Sequence, residues 1–236
     1  MNNKGFSDSF DTLIGAYTRQ GGFGREATGA DIAFDEYEKS FFLTKAQEEL
    51  ILSLYNGRNS SGRSFEETEE LRRSLSPLIG VETIEPEEAV YTGVDKNSKF
   101  FVLPDDLWFI TYEAVNISDG KCEGYTALEV VPVTQDEYNR LRKNPFRGPN
   151  DRRAVRLDLP DSMVEIVSNY NVVSYYLRYL KKIEPIILID LPDGLTINDS
   201  SCATECVLPE FLHQRILEGA VVKALQSKGY NANNNK

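Results

Sequence analysis

Histidine, cysteine, methionine and tryptophan are scarce in this 236-residue chain, with one, three, two and one copies respectively. A single histidine leaves no room for a histidine-rich metal centre, and no G-x-S-x-G elbow is present to make His213 the base of a hydrolase. Three cysteines, an odd number, do not form a disulfide framework in a chain of this size. No run approaches the roughly 20 apolar residues of a membrane helix. The segment MNNKGFSDSF has no apolar core of a secretory signal, so the expectation is folding in a reducing cytoplasm, away from membranes. Basic residues are outnumbered, 26 against 37 acids, for a net charge of −11. Tight, general nucleic-acid binding needs a positive face and is disfavoured by that balance.

What remains is ordinary globular composition, 41% hydrophobic and 27% charged. The length suits one large domain or two small ones. The expected fold class is α+β, with N-terminal helices, a central antiparallel β region and a C-terminal helix. Phe6, Phe10, Leu13, Ile14 and Tyr17 have helical spacing, and Gly21, Gly22 and Gly24 then form a flexible joint. Thr44 with Gln47 and Ser64 with Glu67 both carry a capping-box pattern, and Gly57 and Pro77 mark helix ends. From residue 85 the period falls to two. Strands are expected over 107–114, 125–133, 154–159, 163–168, 172–180 and 185–188, with a turn at Asp119-Gly120. A short helix is expected over 134–141, and Pro209 opens a last one closed by Gly229. No internal repeat and no βαβ alternation is visible. The divisions are a flexible arm over 1–33, a helical segment over 34–80, a β-rich core over 81–207, a helix over 208–229 packed on that core, and a disordered tail over 230–236. Together they make one structural domain.

No catalytic, cofactor-binding or metal site is assigned. His213 sits in the apolar stripe of the last helix and reads as structural. Cys202 and Cys206, with His213 and Cys122, have the atom types of a zinc site, but the spacing is loose and small buried cysteines explain them equally. Asp105-Asp106 and Glu87-Glu88 are adjacent pairs, which a strand points to opposite faces. Charge segregation is the distinctive feature. Arg140, Arg142, Lys143, Arg147, Arg152, Arg153 and Arg156 form a basic island in which Asp151 is the sole acid. Glu66, Glu67, Glu69 and Glu70, and the stretch 82–88, are acidic. Such a pattern is a solvated face, a local nucleic-acid contact, or a head-to-tail interface whose unlike patches build a ring. Arginine suits the last because its fork pairs bidentately with carboxylates. Tyr170, Tyr175, Tyr176 and Tyr179 are either apolar anchors for such a contact or ordinary sheet residues.

Several phrases occur in a telling order: EKSFFLTKAQEELILSLYNG at 38–57, FEETEELRRSL at 65–75, LPDDLWFI at 103–110, YNRLRKNPFRGP at 138–149, YLKKIEPIIL at 179–188 and CVLPEFLHQRILEGAVVKAL at 206–225. Together, over about residues 34–227, they resemble the head-to-tail connector, or ring, proteins of crAss-like bacteriophages, short-tailed phages of gut Bacteroides. The resemblance implies a non-enzymatic virion protein of the neck or tail without cofactors, made in the host cytoplasm. It implies a ring of twelve copies, with the portal protein on one side and a downstream ring or tail protein on the other. DNA would pass through the channel during genome ejection without specific binding. The alternatives are a tail-tube or tail-terminator subunit and a zinc-stabilised regulatory protein.

Overall fold

The computed structural model describes residues 1–19, 32–58, 62, 64, 66–88, 92–118, 126–144 and 146–230. The Gly21–Gly24 joint, the Asp119-Gly120 turn, Cys122 and the tail beyond residue 230 lie outside the described residues. The chain divides into two compact units, Met1–Pro77 with Ile183–Lys236, and Leu78–Lys182.

The first unit is helical. It contains α1 (Asn3–Arg19), α2 (Glu36–Tyr55), α3 (Glu69–Leu75) and α5 (Glu210–Ser227). Residues 1–19, the start of the expected arm, are docked: Phe6 and Phe10 are fully buried, each worth about 1.5–3 kcal/mol of transfer free energy. Lys39 of α2 holds α1 through Asp11 at 2.7 Å and Ser7 at 3.1 Å. Helix α2 starts earlier than Thr44. Asp35 is its cap, accepting from Glu38 N while Glu38 returns the bond to Asp35 N. Helix α3 is likewise capped by Thr68 rather than Ser64. It ends at Leu75, and Ser76–Leu78 tightens into a 3₁₀ turn around Pro77. Gly57 and Gly229 take positive φ, 70° and 86°, at the ends of α2 and α5, as a helix stop requires.

Residues 185–188, expected as a strand, form no ladder; only Ile187 makes an isolated bridge, to Thr204. Helix α2 takes the place of a neighbouring strand. Ser40, Thr44 and Gln47 share a buried polar stripe. Thr44 Oγ1 donates to Ile186 O at 3.2 Å and accepts from Ile186 N at 3.1 Å. Ser40 Oγ accepts from Leu188 N at 3.0 Å, and Gln47 Nε2 donates to Glu184 O at 2.9 Å. The buried backbone is thereby satisfied by side chains, as buried peptide groups must be.

The second unit is a seven-stranded sheet, β1 (Ile79–Ile84), β2 (Lys99–Val102), β3 (Leu107–Ser118), β4 (Thr126–Val133), β5 (Arg153–Asp158), β6 (Met163–Val167) and β7 (Asn171–Lys181), in the order β1-β7-β3-β4-β5-β6-β2. All pairs are antiparallel except β4–β5, which α4 (Gln135–Leu141) joins as one βαβ crossover. A single crossover leaves no repeating βαβ alternation in the sequence. One face buries Phe101, Val115, Leu128, Val130, Ile166 and Leu177. On the other, Tyr138 of α4 covers Val155, Leu157 and Val167. Thr134 caps α4 by accepting from Glu137 N, as its sequence predicts.

Candidate assembly interface

The basic island centres on a folded loop between α4 and β5, with Arg140 in α4 and Arg153 and Arg156 in β5. Asn144 organises it: its side-chain oxygen accepts from Phe146 N at 2.9 Å and its carbonyl from Gly148 N at 2.8 Å. A Cβ on Gly148 would stand 2.6 Å from Leu141 O, so the loop closes on the end of α4 only because residue 148 is glycine. Asn150 repeats the device, accepting from Arg152 N at 2.9 Å. The result is a fixed projection with Phe146 outermost, 85% exposed.

Arg140, Arg142, Lys143, Arg147 and Arg152 are exposed, and Arg153 is half-exposed. Arg153 Nη1 donates to Phe146 O at 3.4 Å, while the other five cations make no ion pair among the described residues. The one acid of the island, Asp151, accepts from the Tyr170 hydroxyl at 2.8 Å and makes no ion pair among the described residues. Arg156 does not belong to this surface. It is 9% exposed on the inner sheet face, with Nη1 2.9 Å from Glu113 Oε2 and Nε 3.0 Å from Asp158 Oδ1. Tyr175 donates to the same Glu113 oxygen at 2.5 Å. Burial pushes the Glu113 carboxyl up despite the nearby guanidinium. Residues 154–157 are all buried, so strand alternation gave no sign that Arg156 points inward.

The acidic members lie on the helical unit. Glu66, Glu67, Glu69 and Glu70 are exposed at and before the start of α3, where the helix dipole favours their charge. Glu69 pairs with Arg73 at 3.0 Å, whereas the Glu70 carboxylate has no ion pair among the described residues. Beside them Phe211, 59% exposed in the first turn of α5, completes a groove of about 430 Å³ lined by Glu69, Glu70, Arg73 and Phe211. The acids of the 82–88 stretch are exposed on and after β1.

The tyrosines divide. Tyr175 and Tyr179 are buried, Tyr179 donating to Asp106 at 3.0 Å, and neither is available as an anchor. Tyr176 packs edge-on to Tyr112 at 6.0 Å, and Tyr170 is half-buried. Sequence reasoning missed Phe146 and Phe211 as exposed aromatics. Phe146 carries a signal, lying in a loop of four cations and two prolines; Phe211, beside Leu212 in an apolar helix, carries none.

His213 is buried. Its Nε2 is 2.8 Å from Leu208 O, its Nδ1 is 2.9 Å from the Met1 nitrogen, and its ring lies 5.2 Å from that of Phe6. Cys206 donates to Gln47 Oε1, and burial pushes its thiol up; Cys202 is exposed. Among the described residues no three His, Cys, Asp or Glu side chains come together to hold a metal ion. No described helix is long and apolar enough to cross a membrane.

An exposed basic loop and an acidic, aromatic groove are surfaces suited to contact with another protein. Sequence comparison agrees. Residues 1–236 match the phage tail ring protein 3/4 family. This chain belongs to that family. It is 46% identical over 233 residues to Ring protein 3 of Bacteroides phage crAss001, covering 97% of this chain and 96% of the relative. It is 31% identical over 231 residues to Ring protein 4/5 of the same phage, covering 94% and 91%. The family match takes in the first 30 residues, where the sequence phrases carried no likeness. The chain is a structural ring protein of the crAss-like phage tail or neck.

Proposed function

We propose that the chain forms a closed head-to-tail ring in the neck, joining the portal on one side to the next ring or tail protein on the other. The observation that carries this reading is the separation of charge: five cations around Phe146 on the sheet unit without an ion pair among the described residues, and exposed acids around α3 on the helical unit. Unlike patches on separate parts of one chain suit a heterologous contact, and such contacts close into a ring when the rotation between copies closes. Twelve copies would match the usual symmetry of a portal. Higher identity to Ring protein 3 than to Ring protein 4/5 favours the equivalent of ring 3. Once the cations are consumed between subunits, the net charge of −11 leaves a wall that DNA crosses without adhering.

Each exposed ion pair is worth about 0–1 kcal/mol, so charge sets register and salt sensitivity while apolar contacts supply affinity. Imaging the purified chain mixed with its portal protein tests the reading. Closed rings seated on the portal are expected, and persistent monomers without portal binding would overturn it. Charge reversal by Arg152→Glu with Arg153→Glu should weaken assembly, most visibly at low salt where screening is weakest. Unchanged assembly would remove this pair from the interface.

A further inference from the structure

Scattered exposed apolar residues need no explanation, but Phe146 is not a scattered one. It is the most exposed large hydrophobic side chain among the described residues, at 85%, and its loop is fixed by Asn144 and Gly148. A preorganised aromatic rimmed by cations has the make-up of an interface anchor. The groove at Glu69, Glu70, Arg73 and Phe211 supplies what that anchor lacks: an aromatic wall and carboxylates. Glu69 is already occupied by Arg73, which leaves Glu70 as the acid open to an incoming cation.

We infer that Phe146 of one copy seats in this groove of the neighbouring copy, against Phe211, with Arg147 on Glu70. The inference rests on the ring reading and deepens it by naming the contact. The aromatic pair would add edge or offset-stacked ring contact to the buried area. The surrounding cations fix the angle of entry, and the rigid loop lowers the ordering cost of binding. Because projection and groove are different patches, every subunit uses both, and each contact repeats around the ring.

The test uses the full chain with its portal protein, in a background carrying Cys122→Ser and Cys202→Ser. One preparation carries Phe146→Cys and another Phe211→Cys; each alone and a mixture made before assembly are allowed to form rings on the portal, then oxidised with copper phenanthroline. A disulfide-linked dimer in the mixture alone is expected. Independently, Glu70→Arg and Arg147→Glu should each lower ring yield at least tenfold, and the pair combined should restore it. Rings that form in the mixture without the mixed dimer would overturn this contact and leave the ring reading intact. Single charge swaps without effect would do the same. A wild-type chain that never forms rings on the portal would overturn both.

Discussion

Replacing Thr44 by valine removes one oxygen and keeps the shape of a side chain that is fully buried. That oxygen both donates to Ile186 O and accepts from Ile186 N, and Ile186 is itself fully buried. Two backbone groups would therefore lose their partner where water cannot replace it. An unsatisfied buried polar group costs about 1–3 kcal/mol, so Thr44→Val should cost about 2–5 kcal/mol. For a chain of this length the melting temperature should fall by roughly 5–15 °C. Thr44→Ser keeps the hydroxyl, gives up one methyl group and should cost about 1 kcal/mol. Urea and thermal unfolding, followed by far-UV circular dichroism, read the helices that carry this contact. The order matters more than the absolute values, since any effect on the unfolded chain is shared by the two variants. A valine variant within 0.5 kcal/mol of the serine variant would refute the idea that α2 stands in for a strand.

Two further outcomes follow from buried charge. Arg156→Met alone leaves Glu113 buried beside Tyr175 and should cost about 3–5 kcal/mol, whereas Arg156→Met, Glu113→Leu and Tyr175→Phe together should recover most of it; a triple variant as unstable as the single one, in denaturant titrations, would contradict the account. For Lys39, burial lowers the ammonium pKa, but the hydrogen bonds and charges of Asp11 and Glu36 outweigh it, and the net shift is upward from 10.5. A folded pKa above the unfolded one means that the stability is fully present below pH 10.5 and lost as pH rises through the raised value. The stability difference between wild type and Lys39→Met should therefore narrow in that alkaline range, and a constant difference would refute the linkage.

Much of this fold can be read in the sequence where a local signal and its cause coincide. Pro209 opening α5, Thr134 capping α4 and the strands expected at 107–114 and 172–180, which lie within β3 and β7, are of that kind. Readings failed where a residue serves a distant partner. Thr44 and Gln47 carry the letters of a capping box, yet they bond residues about 140 positions away, and the functioning box lies at Asp35 and Glu38. Residues 185–188 have the composition of a strand because they are extended and buried, but helix side chains satisfy them. Strand β2, with four residues, is too short for alternation to register, and β1 follows directly on a helix end. For the interface, the loop cations were legible because nothing local opposes their charge. Inward Arg156 was not, because its buried carboxylate partner, Glu113, is 43 residues away. Exposure of Phe146 had a signal in the cations and prolines around it, whereas that of Phe211, beside Leu212 in an apolar helix, had none.

The helical unit is assembled from both ends of the chain, Met1–Pro77 and Ile183–Lys236, while the sheet unit is the continuous stretch between them. During synthesis, α1 and α2 leave the ribosome more than a hundred residues before α5, their main packing partner. The sheet unit needs nothing from beyond Lys182 to complete its ladders and can fold on emergence. The two early helices must wait for α5 to pack on them, with Phe6 lacking the His213 ring that lies against it in the folded protein. Translation thus imposes an order in which the part bearing the basic loop matures first and the part bearing the groove last, so a nascent chain presents its projection before it has anywhere to receive one.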